Sequence, residues 1–99
     1  MHSKVGTSAL IPINQLDDNN HVVLAFPYGA KVLSVTQHDR DKTLWVHYLY
    51  DEDRQDPIEK EFFILSAFGA LPDNDLYGWK FLGSFVVYNL SYHVFVRVI

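Results

Sequence analysis

Short stretches rich in apolar, β-branched and aromatic residues, separated by clusters of Asp, Asn, Gly and Pro, run along most of the chain. Their length and composition predict β-strands. Residues 31–38 also alternate between apolar and polar, as expected when successive side chains of a strand point to opposite faces of a sheet. The stretches lie at residues 9–13, 21–25, 31–38, 43–50, 60–68, 79–88 and 92–99. No window places apolar residues at helical spacing over three turns, so we expect at most one short helical turn, near residues 71–77.

Two pairs of these stretches predict β-hairpins. Residues 31–38 and 43–50 are joined by four charged residues, and residues 79–88 and 92–98 by a short turn that starts at Asn89. Gly83, inside the second hairpin, indicates a bulge or a close backbone approach. Pro12 cannot donate to a β-ladder, so the strand that contains it is expected at an edge.

Several of the predicted strands are apolar on both faces. The strand at 43–50 presents two alternative core faces: Leu44, Val46, Tyr48 and Tyr50, or Trp45, His47 and Leu49. The pattern predicts a mainly β fold, a small antiparallel sandwich or partly open barrel of about six to seven strands. The second apolar face is covered either by another copy, in a dimer or higher oligomer, or by the loops of a monomer.

Composition is that of one folded domain. The chain has 99 residues, of which 48% are hydrophobic and 15% aromatic, and aromatic residues favour the pleated surface of a sheet. We expect a flexible polar segment at residues 1–8, followed by a single β domain at residues 9–99.

The charge and the cysteine count exclude several classes of function. A net charge of −4 argues against direct binding to nucleic acid, which needs a dense Lys and Arg footprint. The chain contains no cysteine, which excludes disulfides and zinc–thiolate sites. No apolar run approaches the length of a membrane span, and the first residues lack the apolar core of a signal peptide. The expected location is the cytoplasm, with no membrane partner.

Catalytic and metal-binding motifs are not found. The acidic run at residues 51–56 lacks calcium-loop spacing, since Arg54 interrupts it. His47 and His93 lie mid-strand, where a structural hydrogen bond is the more common role for histidine. No serine lies in a nucleophile-elbow context. We therefore expect a protein that is not an enzyme and has no catalytic residue, metal ion or cofactor.

Two sets of residues are candidates for binding. His93, Phe95 and Arg97 alternate along one strand face, where they could hold an anion such as a phosphate; alternatively, Arg97 is a charge that keeps an edge strand from aggregating. The other candidates are ring-bearing residues that could form a stacking or protein-binding patch. They are Tyr77, Trp79, Trp45 and His47, and the Tyr77–Trp79 junction is the best of them.

One ordered set of short motifs has a familiar arrangement. The motifs are GAKVLSV at 29–35, Gln37, Leu44-Trp45, FGALP at 68–72, WKFLGS at 79–84 and YHVF at 92–95. From residue 9 to the end, this order resembles a family of small proteins of unknown function found chiefly in tailed bacteriophages. That family often has Gly-Thr-Gly-His-Pro where this chain has FGALP, so the histidine is missing here. The resemblance implies a phage origin and a compact β-rich fold, and no reaction.

Three functions remain open from the sequence. The leading hypothesis is a non-enzymatic phage accessory protein that binds and inhibits a bacterial host or defence protein in the host cytoplasm. The second is an oligomeric binder of a small, nucleotide-like signal, based on the face that carries Arg97. The third is a structural or assembly component of the phage.

Overall fold

The computed structural model describes residues 3–54, 56–69 and 76–98. Within these ranges the chain forms seven β-strands and one 3-10 turn. The strands are β1 (Ser3–Pro12), β2 (Asn19–Pro27), β3 (Lys31–His38), β4 (Thr43–Asp51), β5 (Pro57–Ser66), β6 (Lys80–Val87) and β7 (Leu90–Val98), and the turn is Ile13–Gln15. This confirms the predicted mainly β fold class.

The strands form two antiparallel sheets that are not closed into a barrel. One sheet has three strands in the order β1-β4-β3, and the other has four in the order β2-β5-β7-β6. Every pair of neighbouring strands is antiparallel. The architecture is therefore sandwich-like, with β4 central in one sheet and β5 and β7 central in the other.

Both predicted hairpins are confirmed. β3 pairs with β4 across residues 39–42, and β6 pairs with β7 across a shorter turn. That turn is centred on Tyr88 and Asn89, whose φ angles are 50° and 65°, one residue earlier than the sequence predicted. Two successive positive φ values are typical of the two-residue turn that matches the twist of a hairpin.

The N-terminal strand is longer than the sequence predicted. Residues 3–8 were expected to be flexible, but they pair with β4 from Ser3↔Asp51 onward. β4 is apolar on both faces and offers a hydrogen-bonding edge to β1, and Lys4 adds an ion pair with Glu52 at 2.8 Å. The prediction of an edge strand near Pro12 is confirmed, because β1 is the outer strand of its sheet.

Three strands at sheet edges each contain one extra residue. The register shifts after Ala9 in β1, after Val32 in β3 and after Phe81 in β6. The residues without a partner are all leucines, and they are Leu10, Leu33 and Leu82. The shift in β6 ends at Gly83, so the predicted irregularity at this glycine is confirmed.

The core lies between the two sheets and draws on both. Its fully buried members include Leu44 and Val46 from β4, and Phe62, Ile64 and Val94 from β5 and β7. This settles the alternative left open for β4: Leu44, Val46 and their alternating partners face the core, while Trp45, His47 and Leu49 face outward. The helical turn expected near residues 71–77 lies largely outside the described residues.

Candidate functional site

One ring-bearing residue from each strand of the four-stranded sheet lines up in a single row on its outer surface. Across the sheet, the register pairs His21 of β2 with Phe63 of β5, Phe63 with Phe95 of β7, and Phe95 with Phe81 of β6. His21 stacks on Phe63 with ring centroids 4.6 Å apart, and Phe81 lies 5.4 Å from Phe95. The row is a direct product of strand register, because aligned residues share a face.

The middle of the row is covered by the segment that leads into β6. Phe63 is only 1% exposed although it points away from the core between the sheets. Trp79 lies over it at 5.9 Å and also approaches His21 at 6.4 Å. The end of the row stays open, because Phe81 is 54% exposed. The result is a small second apolar layer whose middle is covered and whose two end rings, Phe81 and His21, are both about half exposed.

A charged network borders the covered part of the row. Arg97 donates from Nε and Nη2 to Oε1 of Glu61, at 2.9 and 2.7 Å, and its guanidinium lies 4.4 Å from the centre of the Trp79 ring. Glu61 Oε2 also contacts Nδ1 of His21 at 3.1 Å. Burial acts to raise the pKa of Glu61, but the hydrogen bonds and charges of Arg97 and His21 outweigh it, so the pKa lies below its ordinary value.

His93, Phe95 and Arg97 lie on the same outer face, as the alternation predicted. Each has a distinct neighbour there: Ser84 for His93, Phe81 for Phe95 and Glu61 for Arg97. The contact from Ser84 Oγ to His93 Nδ1 is 2.6 Å. The alternative interpretation of Arg97 as an edge-strand charge is wrong, because β7 lies between β5 and β6. Its guanidinium is bound by a carboxylate instead.

Trp79 joins this face, and Tyr77 lies in the turn just before it with an exposure of 86%. We name the outer-surface group the aromatic face; its members are His21, Phe63, Trp79, Phe81, Phe95 and Arg97. The indole nitrogen of Trp79 is buried and has no hydrogen-bond partner among the described residues. His21 and Phe63 were not predicted from the sequence, because only the pairing of β2 with β5, and of β5 with β7, aligns them with Phe95.

Trp45 and His47 lie elsewhere, on the outer surface of the three-stranded sheet. Trp45 Nε1 donates to Oδ2 of Asp41 at 3.0 Å, and His47 Nε2 lies 2.7 Å from Oγ1 of Thr36. The His38 ring is 5.7 Å from Trp45 and 6.4 Å from His47. These two candidates are therefore held in a local polar cluster that is separate from the aromatic face.

A cleft opens between the two sheets at one end of the molecule, with a volume of about 300 Å³. Its lining includes Lys31 from β3, Lys60 from β5 and Lys80 from β6, beside the apolar side chains of Val32 and Val96. This group was not predicted from the sequence, because the lysines are 29 and 20 residues apart and only the packing of the two sheets brings them to one cleft. We name it the lysine cleft.

The charge of the lysine cleft is only partly compensated. Lys60 Nζ donates to the backbone oxygen of Ala30 at 2.7 Å. Burial, and then the nearby positive charge of Lys80, lowers the pKa of Lys60 from its ordinary 10.5. Among the described residues, no carboxylate lines the cleft.

The described residues contain no group of three His, Cys, Asp or Glu side chains placed to hold a metal ion. Over the same ranges, no helix has the length and apolar content needed to cross a bilayer. The acidic residues at the end of β4 make a local hydrogen bond, in which Asp51 Oδ1 accepts from the backbone nitrogen of Asp53 at 3.0 Å.

No known protein family has a model that matches this chain, and no curated protein or solved structure matches it. The aromatic face and the lysine cleft are therefore the features from which a function can be inferred.

Proposed function

We propose that this protein is a non-enzymatic accessory protein that binds a bacterial protein through the aromatic face and inhibits it by covering its surface. The observation that carries the proposal is the open end of the aromatic row. Phe81 is more than half exposed, packs against Phe95, and lies on the same surface as Trp79 and Arg97. Tryptophan and arginine are the residue types that most often dominate binding energy in protein interfaces.

The organisation of the face supports binding by a rigid surface. Trp79 is held between Phe63 below and the Arg97 guanidinium, and Glu61 fixes that guanidinium with two hydrogen bonds. Side chains that are already ordered lose little conformational entropy when a partner docks. Val23, on β2 at the opposite edge of the sheet from Phe81, is 48% exposed and adds a second exposed apolar side chain to this surface.

The partner that suits this face offers one apolar contact for Phe81 and a separate one for Val23, with polar groups between them for Glu61 and Arg97. The resemblance to small phage proteins supports a bacterial host or defence protein as the target and the host cytoplasm as the place of action.

Affinity capture followed by reconstitution tests the proposal. The protein is immobilised, bacterial proteins that it retains are identified, and the binding constant of the purified partner is measured. We expect Phe81→Asp to weaken binding by at least about tenfold, because it places a charge at the centre of an apolar contact. The matched control is Val5→Asp, an exposed apolar residue of β1 in the other sheet, which should leave binding unchanged.

Two results would overturn the proposal. One is that no bacterial protein is retained. The other is that the purified partner binds the Phe81→Asp and Val5→Asp variants equally well. Loss of the partner's activity on binding, restored when Phe81→Asp replaces the unaltered protein, would support inhibition by occlusion.

A further inference from the structure

The lysine cleft concentrates positive charge on a chain that is acidic as a whole. The net charge is −4, yet three of the five lysines line one cleft. They come from three different strands of both sheets: Lys31 from the three-stranded sheet, and Lys60 and Lys80 from the four-stranded sheet. Their convergence is therefore a property of how the two sheets pack.

The side chains in the cleft differ in how far they are already engaged. Lys60 is partly buried and bonded to the Ala30 carbonyl at 2.7 Å. Lys31 and Lys80 are exposed and make no ion pair with any residue that the structure describes. Arg97 also borders the cleft, but its guanidinium is bound to Glu61 on the outer surface. Lys80 has no charged partner among the described residues and lies near Lys60, whereas Lys31 pairs in register with the outward-facing Leu49 and borders the cleft from that side.

The surroundings strengthen the attraction for an anion. Ala30, Val32, Val96 and Val98 form apolar walls, and low-dielectric walls around like charges focus the electrostatic field. Lys60 and Lys80 repel each other, which contributes to the lowered pKa of Lys60. An anion placed between them relieves that repulsion and gains charge-assisted hydrogen bonds.

The size of the cleft limits the ligand. A volume of about 300 Å³ is at the lower end of the range for small-molecule sites. Lysines that line such a space suit an anion that carries several charges on a small group. A phosphate or diphosphate group has this combination of size, charge and acceptor oxygens.

We propose that Lys31, Lys60 and Lys80 form a binding site for the phosphate groups of a small phosphorylated molecule. The site goes beyond the protein-binding function and does not depend on it, because Phe81 is not part of the cleft. It also differs from the anion site expected from the sequence, which was based on His93, Phe95 and Arg97.

Isothermal titration calorimetry with three probes tests the proposal: inorganic diphosphate, adenosine diphosphate and adenosine. We expect both phosphorylated probes to bind and adenosine not to bind. Binding should weaken as sodium chloride is raised from 50 to about 300 mM, because salt screens partly exposed charges. Tighter binding of adenosine diphosphate would identify a phosphorylated organic molecule as the ligand, and equal binding would identify the phosphate groups alone.

Three variants locate the site. Lys31→Gln and Lys80→Gln remove exposed charges without disturbing a buried contact, and each should weaken diphosphate binding by about tenfold, the typical worth of one charge-assisted hydrogen bond. The matched control is Arg40→Gln, an exposed cation in the β3–β4 turn, which should bind as tightly as the unaltered protein. Circular dichroism checks that each variant is folded.

Absence of diphosphate binding, or binding that all three variants retain equally, would overturn the proposal. So would adenosine binding as tightly as adenosine diphosphate. The two proposals fail independently: Phe81→Asp should leave diphosphate binding intact, and Lys80→Gln should leave the captured protein partner bound.

Discussion

At the scale of single residues, Glu61 links two side chains of the aromatic face. Its side chain is 18% exposed and holds both Arg97 and His21, and through Arg97 it fixes the position of Trp79. A carboxylate that accepts charge-assisted hydrogen bonds in the folded state binds its proton less readily there than in the unfolded chain. Stability should therefore depend on pH through this residue.

Replacing Glu61 with Gln should lower the free energy of unfolding at pH 7 by roughly 1 kcal/mol, because the amide carries no charge for Arg97. The folded-state pKa lies below the ordinary 4.5, so the contribution of Glu61 is complete above pH 4.5 and is lost as the pH falls through the lowered value. Urea unfolding at pH 7 and pH 3 measures this. The difference between variant and unaltered protein should shrink at pH 3.

The matched control for Glu61 is Glu59→Gln, two residues earlier on β5 and exposed. It should change stability little at either pH. An equal loss of stability for Glu61→Gln at pH 7 and pH 3 would contradict the role of its charge.

At the scale of secondary-structure elements, the β6–β7 turn is built from residues that do not suit it. Tyr88 and Asn89 both have positive φ, a conformation that is favourable for Asn or Gly and costly for most other residues. The Tyr88 side chain is 84% exposed, so it contributes little to packing that could offset this cost. Residues that favour positive φ at these two positions should therefore stabilise the turn.

The double variant Tyr88→Asn, Asn89→Gly should raise the free energy of unfolding by about 0.5–1 kcal/mol, since Asn-Gly is the preferred pair for this turn. Urea unfolding followed by circular dichroism measures the change. The opposite substitution, Asn89→Val, places a β-branched residue at positive φ and should destabilise the protein. If neither substitution changes the free energy of unfolding, the backbone of the turn differs from the one described.

The same scale shows what sequence patterns can and cannot predict. Both hairpins followed from alternation and turn residues, because these signals act between neighbouring segments. Phe63 illustrates the limit: its strand is apolar on both faces, and only the pairing with β2 and the position of Trp79 explain how the outward ring is buried. The lysine cleft was not predicted for the same reason. Lys31 and Lys80 lie on different sheets, and the sequence around each of them does not indicate that they line the same cleft.

At the scale of the whole molecule, the two sheets share one core. A single cluster of buried side chains includes Val46 from the three-stranded sheet and Phe62 from the four-stranded sheet. The three-stranded sheet should not be stable without the opposing sheet, because its apolar face would then be exposed to water. We expect one cooperative unfolding transition.

The two tryptophans can test this expectation, because Trp45 lies on one sheet and Trp79 on the other. Trp79→Phe leaves fluorescence that reports on the three-stranded sheet, and Trp45→Phe leaves fluorescence that reports on the four-stranded sheet. In each variant, the urea midpoint from fluorescence should coincide with the midpoint from far-ultraviolet circular dichroism. A fluorescence midpoint that departs from the circular dichroism midpoint in either variant would show that the sheets unfold separately.

The extra leucines in β1, β3 and β6 affect whether another chain can add a strand to the edges of these sheets. Filament growth by strand addition needs an evenly spaced ladder of free N–H and C=O groups, and a bulge interrupts that ladder after a few residues. Three of the outer strands described carry such an interruption. The bulge in each of these strands breaks the register that a second chain laid along it would need. These three edges are therefore less suited to templating polymers than β2, the outer strand that pairs with β5 in unbroken register.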